Sequence, residues 1–223
     1  MTEIDLKVNL IQQPNMSNDC GVACVAMIAD YYNLDISYED IRKELGVYSW
    51  GTTTPQLGRF FLAHGFDVEI VGLHPALFQL NSSFIDSSEM IEYLQKMRTV
   101  LKDGYDAIAI EHFISFVQEG GIFSPKIPTD MDIESELNEQ RPVLVPLSHW
   151  FLRQTSMPPR FTTHFNVVTG MNNTEFYTND PDFGDDFGGQ HSTKKETFMY
   201  AVYVSAKGGI DDACVMKINK KIT

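Results

Sequence analysis

Cysteine is scarce in this chain and odd in number. Three residues, Cys20, Cys24 and Cys214, do not make a disulfide scaffold, which needs pairs. Zinc signatures are missing as well. Cys20 and Cys24 stand one helical turn apart, but no Cys-x-x-Cys or His-Glu-x-x-His pattern completes a ligand set. No metal and no organic cofactor is therefore expected. Long apolar runs are lacking too. None approaches the length of a membrane span, and the opening MTEIDLKVNLIQQPN carries no basic segment followed by an apolar one, as a secretory signal would. The expectation is a cytoplasmic protein with no membrane partner. Positive charge is in deficit: 17 Lys and Arg face 30 Asp and Glu, for a formal net charge of −13. That argues against a nucleic-acid partner, since no basic cluster is present to displace counterions from phosphates. The one basic tract, Lys217 to Lys221, is short.

What is present suits a packed domain. Apolar residues make up 43% of the 223 and charged residues 21%, well away from disordered compositions. Periodicity divides the chain. LKVNLI (6–11) alternates and reads as a short strand. Helices are expected from Cys20 to about Tyr32, with Asn18 or Asp19 capping the first amides, over SYEDIRKEL from Ser37 to the stop at Gly46, and from Thr54 and Pro55 to Gly65. FDVEIV (66–71) reads as a strand. Helical spacing returns over 87–104, over 131–140 and in DAIAIEHFISFVQEGG, whose first half also suits a strand. The last third changes character, with strands expected at 142–148, 163–170, 174–180 and 213–220, while 194–209 suits helix or strand. This is an α+β pattern in one domain spanning 1–223, with a helical part over about 14–140 and a sheet part over about 141–223.

The stretch NDCGVACVAM carries the first chemical signal. Cys20 stands at a helix start, where free amides and the helix dipole stabilise a thiolate. Gly21, lacking a side chain, is expected to leave room for a substrate carbonyl. Cys24, one turn further in among Val22, Val25 and Ala26, is expected to be inert core. A cysteine nucleophile needs an imidazole as base and acid, and that imidazole needs an orienting partner. Of six histidines, His64 lies in the last turn of a helix, His74 precedes a proline, His112 lies in an apolar helix, and His149 and His191 fall in loops with nothing evident attached. His164 differs. It opens the strand HFNVVTG, 144 positions after Cys20, within the separation of papain-like enzymes. A hairpin through MNNTE would return Asp180, at the end of the next strand before Pro181, to the side of His164. Ending a strand at a turn, Asp180 is expected near solvent.

These blocks in this order resemble the papain-like cysteine peptidases and, more narrowly, the C39 and C39-like peptidase family. The resemblance rests on QQPNMSNDCGVACVAM, on a helix closed by glycine before a strand in GTTTPQLGRFFLAHGFDVEIV, on HFNVVTG, and on the Asp-Pro of NDP. It implies two lobes, one helical with Cys20 and one a twisted antiparallel sheet with His164 and Asp180, in a freestanding relative without a transporter part. It also implies an oxyanion donor, a glutamine that in the family sits six residues before the cysteine. Pro14 stands there, so the expected donor is Gln13, with Gln12 second, and the PNMSND loop has to absorb one extra residue.

The function this implies is a cysteine-dependent hydrolase of peptide or isopeptide bonds, acting on a peptide or protein substrate through an acyl-enzyme on Cys20. An acyltransferase with an amine or thiol acceptor would use the same groups, and a peptide-binding module with a vestigial triad is the non-enzymatic alternative. HWFLRQTSMPPRFTTH (149–164) is a candidate for substrate contact or a lid. PDFGDDFGGQ (181–190) does not match a twelve-residue calcium loop.

Overall fold

A twelve-residue helix with almost no polar face, α1 (Cys20–Tyr31), runs through the core of the fold. The computed structural model describes residues 3–78, 84, 86–153, 163–182 and 188–221. Every residue of α1 from Gly21 to Ala29 is buried, as a run of Val, Ala, Cys, Met and Ile demands, and each large member contributes about 1.5–3 kcal/mol by leaving water. Its start departs from expectation. Asp19 occupies the cap position but makes no side-chain cap bond; it accepts instead from Arg42 Nε at 2.9 Å. The amides of the first turn are thus left without a capping side chain.

Helix α2 (Tyr38–Leu45) is capped by Ser37, which accepts from the Asp40 amide, and stopped at Gly46, whose φ of 62° closes the last turn. Helix α3 (Thr54–Ala63) begins with a capping box between Thr53 and Gln56 and has proline in its first turn. The Gln56 amide also donates to Leu45 O, tying α3 to the end of α2. Then follow α4 (Ser87–Val100), capped by Asp86, α5 (Tyr105–Gln118) and α6 (Asp130–Asn138). The five-residue α7 (His149–Arg153) and α8 (Lys195–Ser205) complete the helices among the described residues. The 194–209 stretch, ambiguous by pattern, is helical from Lys195 because Phe198, Ala201, Val202 and Ser205 are buried at three- and four-residue steps.

The strands are β1 (Ile4–Asp5), β2 (Phe66–Gly72), β3 (Ile122–Pro125), β4 (Val143–Ser148), β5 (Thr163–Met171), β6 (Glu175–Asp180), β7 (Gly189–Lys194) and β8 (Cys214–Lys220). They form one sheet in the order β3-β2-β8-β4-β5-β6-β7, with β1 on β5. All pairs are antiparallel except β2 with β3. The chain is therefore α+β, as expected, and β2 and β3 of its first 140 residues join the same sheet. The strand expected at 6–11 is absent. Leu6 and Val8 are buried there, and Leu6 N still reaches Thr169 O of β5 at 2.8 Å, but Val8 N turns back to Leu6 O and Asn179 Nδ2 rather than a ladder partner donates to Val8 O at 2.9 Å. Strand β7, GQHSTK, is a polar edge strand whose register runs from Glu175 opposite Lys194 to Asp180 opposite Gly189.

The surroundings of Gly21 correct one reading. A Cβ built there would stand 2.2 Å from Thr52 Oγ1 and 3.1 Å from the Leu57 methyls. The missing side chain lets α1 pack against Thr52 and α3; it does not open space for a substrate. Gly21→Ala should therefore overpack this contact and destabilise the protein by about 1–3 kcal/mol. The check is urea unfolding, which should show a lower midpoint with an unchanged slope.

Candidate active site

Three neighbouring strand ends and one helix start converge. In the β4–β5 ladder Leu147 pairs with His164 and Ser148 with Thr163, which puts His164 near the end of β4. In the β5–β6 ladder Val167 pairs with Asn179, so Asp180 emerges beside the start of β5. Helix α1 packs against β5 and delivers Cys20 to the same end. There the Cys20 thiol bonds the His164 side chain and also meets the Phe165 and Gly21 amides. On the other side of the ring, His164 Nε2 donates to Asp180 Oδ1 at 2.7 Å. Sulfur, imidazole and carboxylate thus form a continuous chain of contacts.

Burial makes these contacts strong. Asp180 is fully buried and His164 nearly so, and a charge-assisted hydrogen bond shielded from water is about twice as strong as a neutral one. Burial alone would raise the Asp180 carboxyl, but the His164 charge and hydrogen bond, helped by His149, hold it well below the usual carboxylate range. Burial likewise opposes a charge on His164, yet Asp180 and then Cys20 push its pKa up to about 10. Burial would raise the Cys20 thiol too; the hydrogen bond and charge of His164 overcome it, and the net shift is downward. Together these directions favour a thiolate–imidazolium pair. Cys24 behaves oppositely, pushed well up by burial and by the charges of Cys20 and Asp180. Burial does the same to Cys214, reinforced by Asp211.

Gln13 and Gln12 separate cleanly. Gln13 is buried and Gln12 exposed. The Gln13 backbone N–H donates to Pro181 O at 2.8 Å, fastening it to the segment just beyond Asp180. Its side-chain Nε2 donates to Ser17 O at 3.2 Å, which leaves one N–H of the amide for another acceptor. Between Gln13 and Cys20 the chain turns tightly, with Ser17 N bonded to Pro14 O and Met16 in the left-handed region at φ 58°.

Several residues lie where pattern did not put them. Asp180 is not a solvent-near turn residue but a buried charge. His149, which had nothing attached in sequence, opens α7; its Nδ1 is 3.6 Å from Asp180 Oδ2 and its Nε2 3.8 Å from Asp182 Oδ2. Its ring meets His164 edge-on at 4.8 Å between centroids. The signal for it was the register: His149 directly follows the strand that pairs with His164. A second miss is the buried pair Asp211 and Asp212. Asp212 accepts from the hydroxyl of Thr163, next to His164, and burial together with Asp211 holds its carboxyl well above the usual range. His112 is satisfied by Thr53 Oγ1 at 2.7 Å, His64 faces Glu44, and His74 bonds Ala206 O, each a structural role. Residues 154–162 of the expected substrate loop and 183–187 of the glycine- and aspartate-rich loop lie outside the described residues.

Comparison with known family models bears out the resemblance over part of the chain. The model of the peptidase C39 family matches residues 7–99, a window that holds Gln13 and Cys20 but not His164 or Asp180. No curated protein matches the chain. Among solved structures, the double-glycine-motif protease of an AMS/PCAT transporter, determined with its leader peptide, is 14% identical with a TM-score of 0.49, covering 99% of this chain and 100% of that one. The peptidase domain of Streptococcus ComA, a bifunctional ABC transporter of a quorum-sensing pathway, is 15% identical with a TM-score of 0.49, covering 96% and 99%. A protein from Bacillus anthracis described as a C39-like peptidase is 13% identical with a TM-score of 0.47 and full coverage of both chains.

The electrostatics predict selective labelling. Iodoacetamide in limiting amount should modify Cys20, at a rate already high near neutral pH, and leave Cys24 and Cys214 intact, as read by peptide mass mapping. The same charges set a stability window. The raised His164 pKa contributes stability that is complete below about 6.5 and lost as pH rises through about 10. The depressed Asp180 pKa contributes stability present above 3.8 and lost as pH falls below it. Melting temperatures measured across pH should therefore fall at both ends, and Asp180→Asn should flatten both limbs.

Proposed function

Because the N-terminal residues 7–99 match the peptidase C39 family, we propose that this protein is a cysteine hydrolase of peptide or isopeptide bonds. The observation that carries the reading is the chain of contacts from Cys20 through His164 to buried Asp180. The Cys20 thiolate attacks the scissile carbonyl, and the carbonyl π electrons move onto oxygen. That oxyanion is met by the Cys20 backbone N–H and the remaining N–H of the Gln13 amide. Protonated His164 gives its proton to the departing amine as the C–N bond breaks, leaving a thioester on Cys20. Neutral His164 then takes a proton from water, the resulting hydroxide attacks the thioester, and the acid product leaves as the thiolate–imidazolium pair is restored. Asp180 keeps the ring in one orientation and stabilises its positive state.

The hydrolytic reading is preferred to a vestigial site on energetic grounds. A buried carboxylate and imidazolium cost several kcal/mol each in desolvation, and here the Cys20 thiol is perturbed in the direction that a nucleophile requires. Water is taken as the acyl acceptor; an amine or thiol acceptor would use the same Cys20 and His164 groups.

The test is exposure of the protein to a mixed peptide library that includes double-glycine sequences, with new termini read by mass spectrometry. Cleavage should occur and vanish in Cys20→Ala; a folded wild-type protein that neither cleaves nor forms a Cys20 adduct with an acylating probe would sink the proposal. On a cleaved peptide, Gln13→Ala should lower kcat about 100- to 1000-fold with little change in KM, whereas Gln12→Ala should be near the parental rate. Asp180→Asn should retain more activity than Asp180→Ala, since an amide oxygen can still accept the ring N–H.

A further inference from the structure

His149 and Asp182 have no part in the hydrolytic steps above, yet they stand against the histidine that does. His149, His164 and Asp182 each offer one ligand atom, and these atoms all lie within 4.8 Å of one another. We propose that these three side chains form a binding site for a zinc-class divalent ion, and that filling it switches the enzyme off.

The donor chemistry suits such an ion. Two imidazole nitrogens and one carboxylate oxygen are a known protein ligand set for zinc, with a fourth position left for water. Bonds of about 2.0–2.1 Å in a tetrahedron put ligand atoms roughly 3.3 Å apart. A cluster spanning 4.8 Å or less is within about 1.5 Å of that spacing, a gap that side-chain rotation can close. His149 is already poised for it. Its Nε2 faces Asp182 and its Nδ1 faces Asp180 Oδ2, which is the arrangement of a ligating imidazole backed by a carboxylate that fixes its tautomer. Charge points the same way: Asp180 and Asp182 sit together, linked by the bond from the Asp182 amide to Asp180 Oδ1 at 3.0 Å. The set is assembled by the sheet, since the ligands come from the ends of β4, β5 and β6, three adjacent strands. No motif in sequence would reveal it, because the ligands lie 15 and 18 positions apart, at the start of α7, in β5 and just past β6.

The consequence rests on the reading of His164 as the proton carrier. A metal on the ring nitrogen facing Cys20 blocks proton exchange with sulfur. A metal on Nε2 displaces Asp180. Either way the relay stops, while the nucleophile itself need not be touched. The site is thus a device for silencing the enzyme where zinc is available and releasing it where zinc is withdrawn.

Binding can be read without any substrate, so failure of the hydrolase reading and failure of this one are distinguishable. Zinc chloride titrated calorimetrically into the full chain should bind one ion per molecule at this site. His149→Ala, its backup His149→Gln, and Asp182→Asn should each weaken that binding at least about tenfold, whereas Cys20→Ser should retain it. In the wild type, saturating zinc should suppress probe labelling of Cys20, and a chelator should restore it. Absence of zinc binding would overturn the proposal. So would binding unchanged in both the His149 and Asp182 variants, which would place the ion on the acidic surface. Loss of binding only in Cys20→Ser would place it on the thiol and overturn the proposal equally.

Discussion

The buried bond between His164 Nε2 and Asp180 Oδ1, 2.7 Å long, is the constraint around which the site is arranged. A carboxylate with no exposed surface is tolerable only if an opposite charge is held against it. The β5–β6 hairpin supplies that charge by register, with Val167 opposite Asn179. The same bond makes His164 a strong base and so draws the thiol proton of Cys20 toward it. Removing the carboxylate would leave a buried imidazolium unpaired, at a cost of about 3–5 kcal/mol. Stability and chemistry therefore pull on one pair of atoms, and the sheet cannot slip there without losing both.

The helical part answers to this constraint from the other side. Helix α1 is apolar all round, and such a helix is stable only when surrounded. Sheet, α2 and α3 enclose it, and its position along β5 is what puts Cys20 beside the imidazole. Two details shape the first turn. Asp19 turns away to Arg42, and the bare Gly21 lets Thr52 and Leu57 pack against the helix. A capping carboxylate in the first turn would place a negative charge near a thiolate; the ion pair with Arg42 satisfies it elsewhere.

Much of this was legible in sequence. The helix start at Cys20, the strand that opens near His164, the hairpin that returns Asp180 beside it, and the helix caps at Ser37 and Gly46 all follow from local chemistry. What escaped depends on contacts between distant segments. His149 gains its role only from strand register. Gly21 read as open space because its neighbour, Thr52, is remote in sequence. Strand β7 has no apolar alternation, being a polar edge strand. Leu6 and Val8 alternate like a strand because their side chains are buried, but Asn179 takes the carbonyl that a ladder would have used. Asp180 read as a turn residue because burial of a charge leaves no mark on composition.

The loop between Gln13 and Cys20 shows how the two parts of the chain are held in step. It turns tightly from Pro14 to Ser17, with Met16 left-handed and almost wholly exposed. A non-glycine residue there costs on the order of 1–2 kcal/mol. That cost is sustained because both ends of the loop are anchored, Gln13 by its amide to Pro181 and Asp19 by its carboxylate to Arg42. The first anchor lies one residue beyond Asp180. The strand that carries the Asp180 carboxylate thus also fixes the backbone of Gln13, and any displacement of β6 would move both groups together relative to the sulfur.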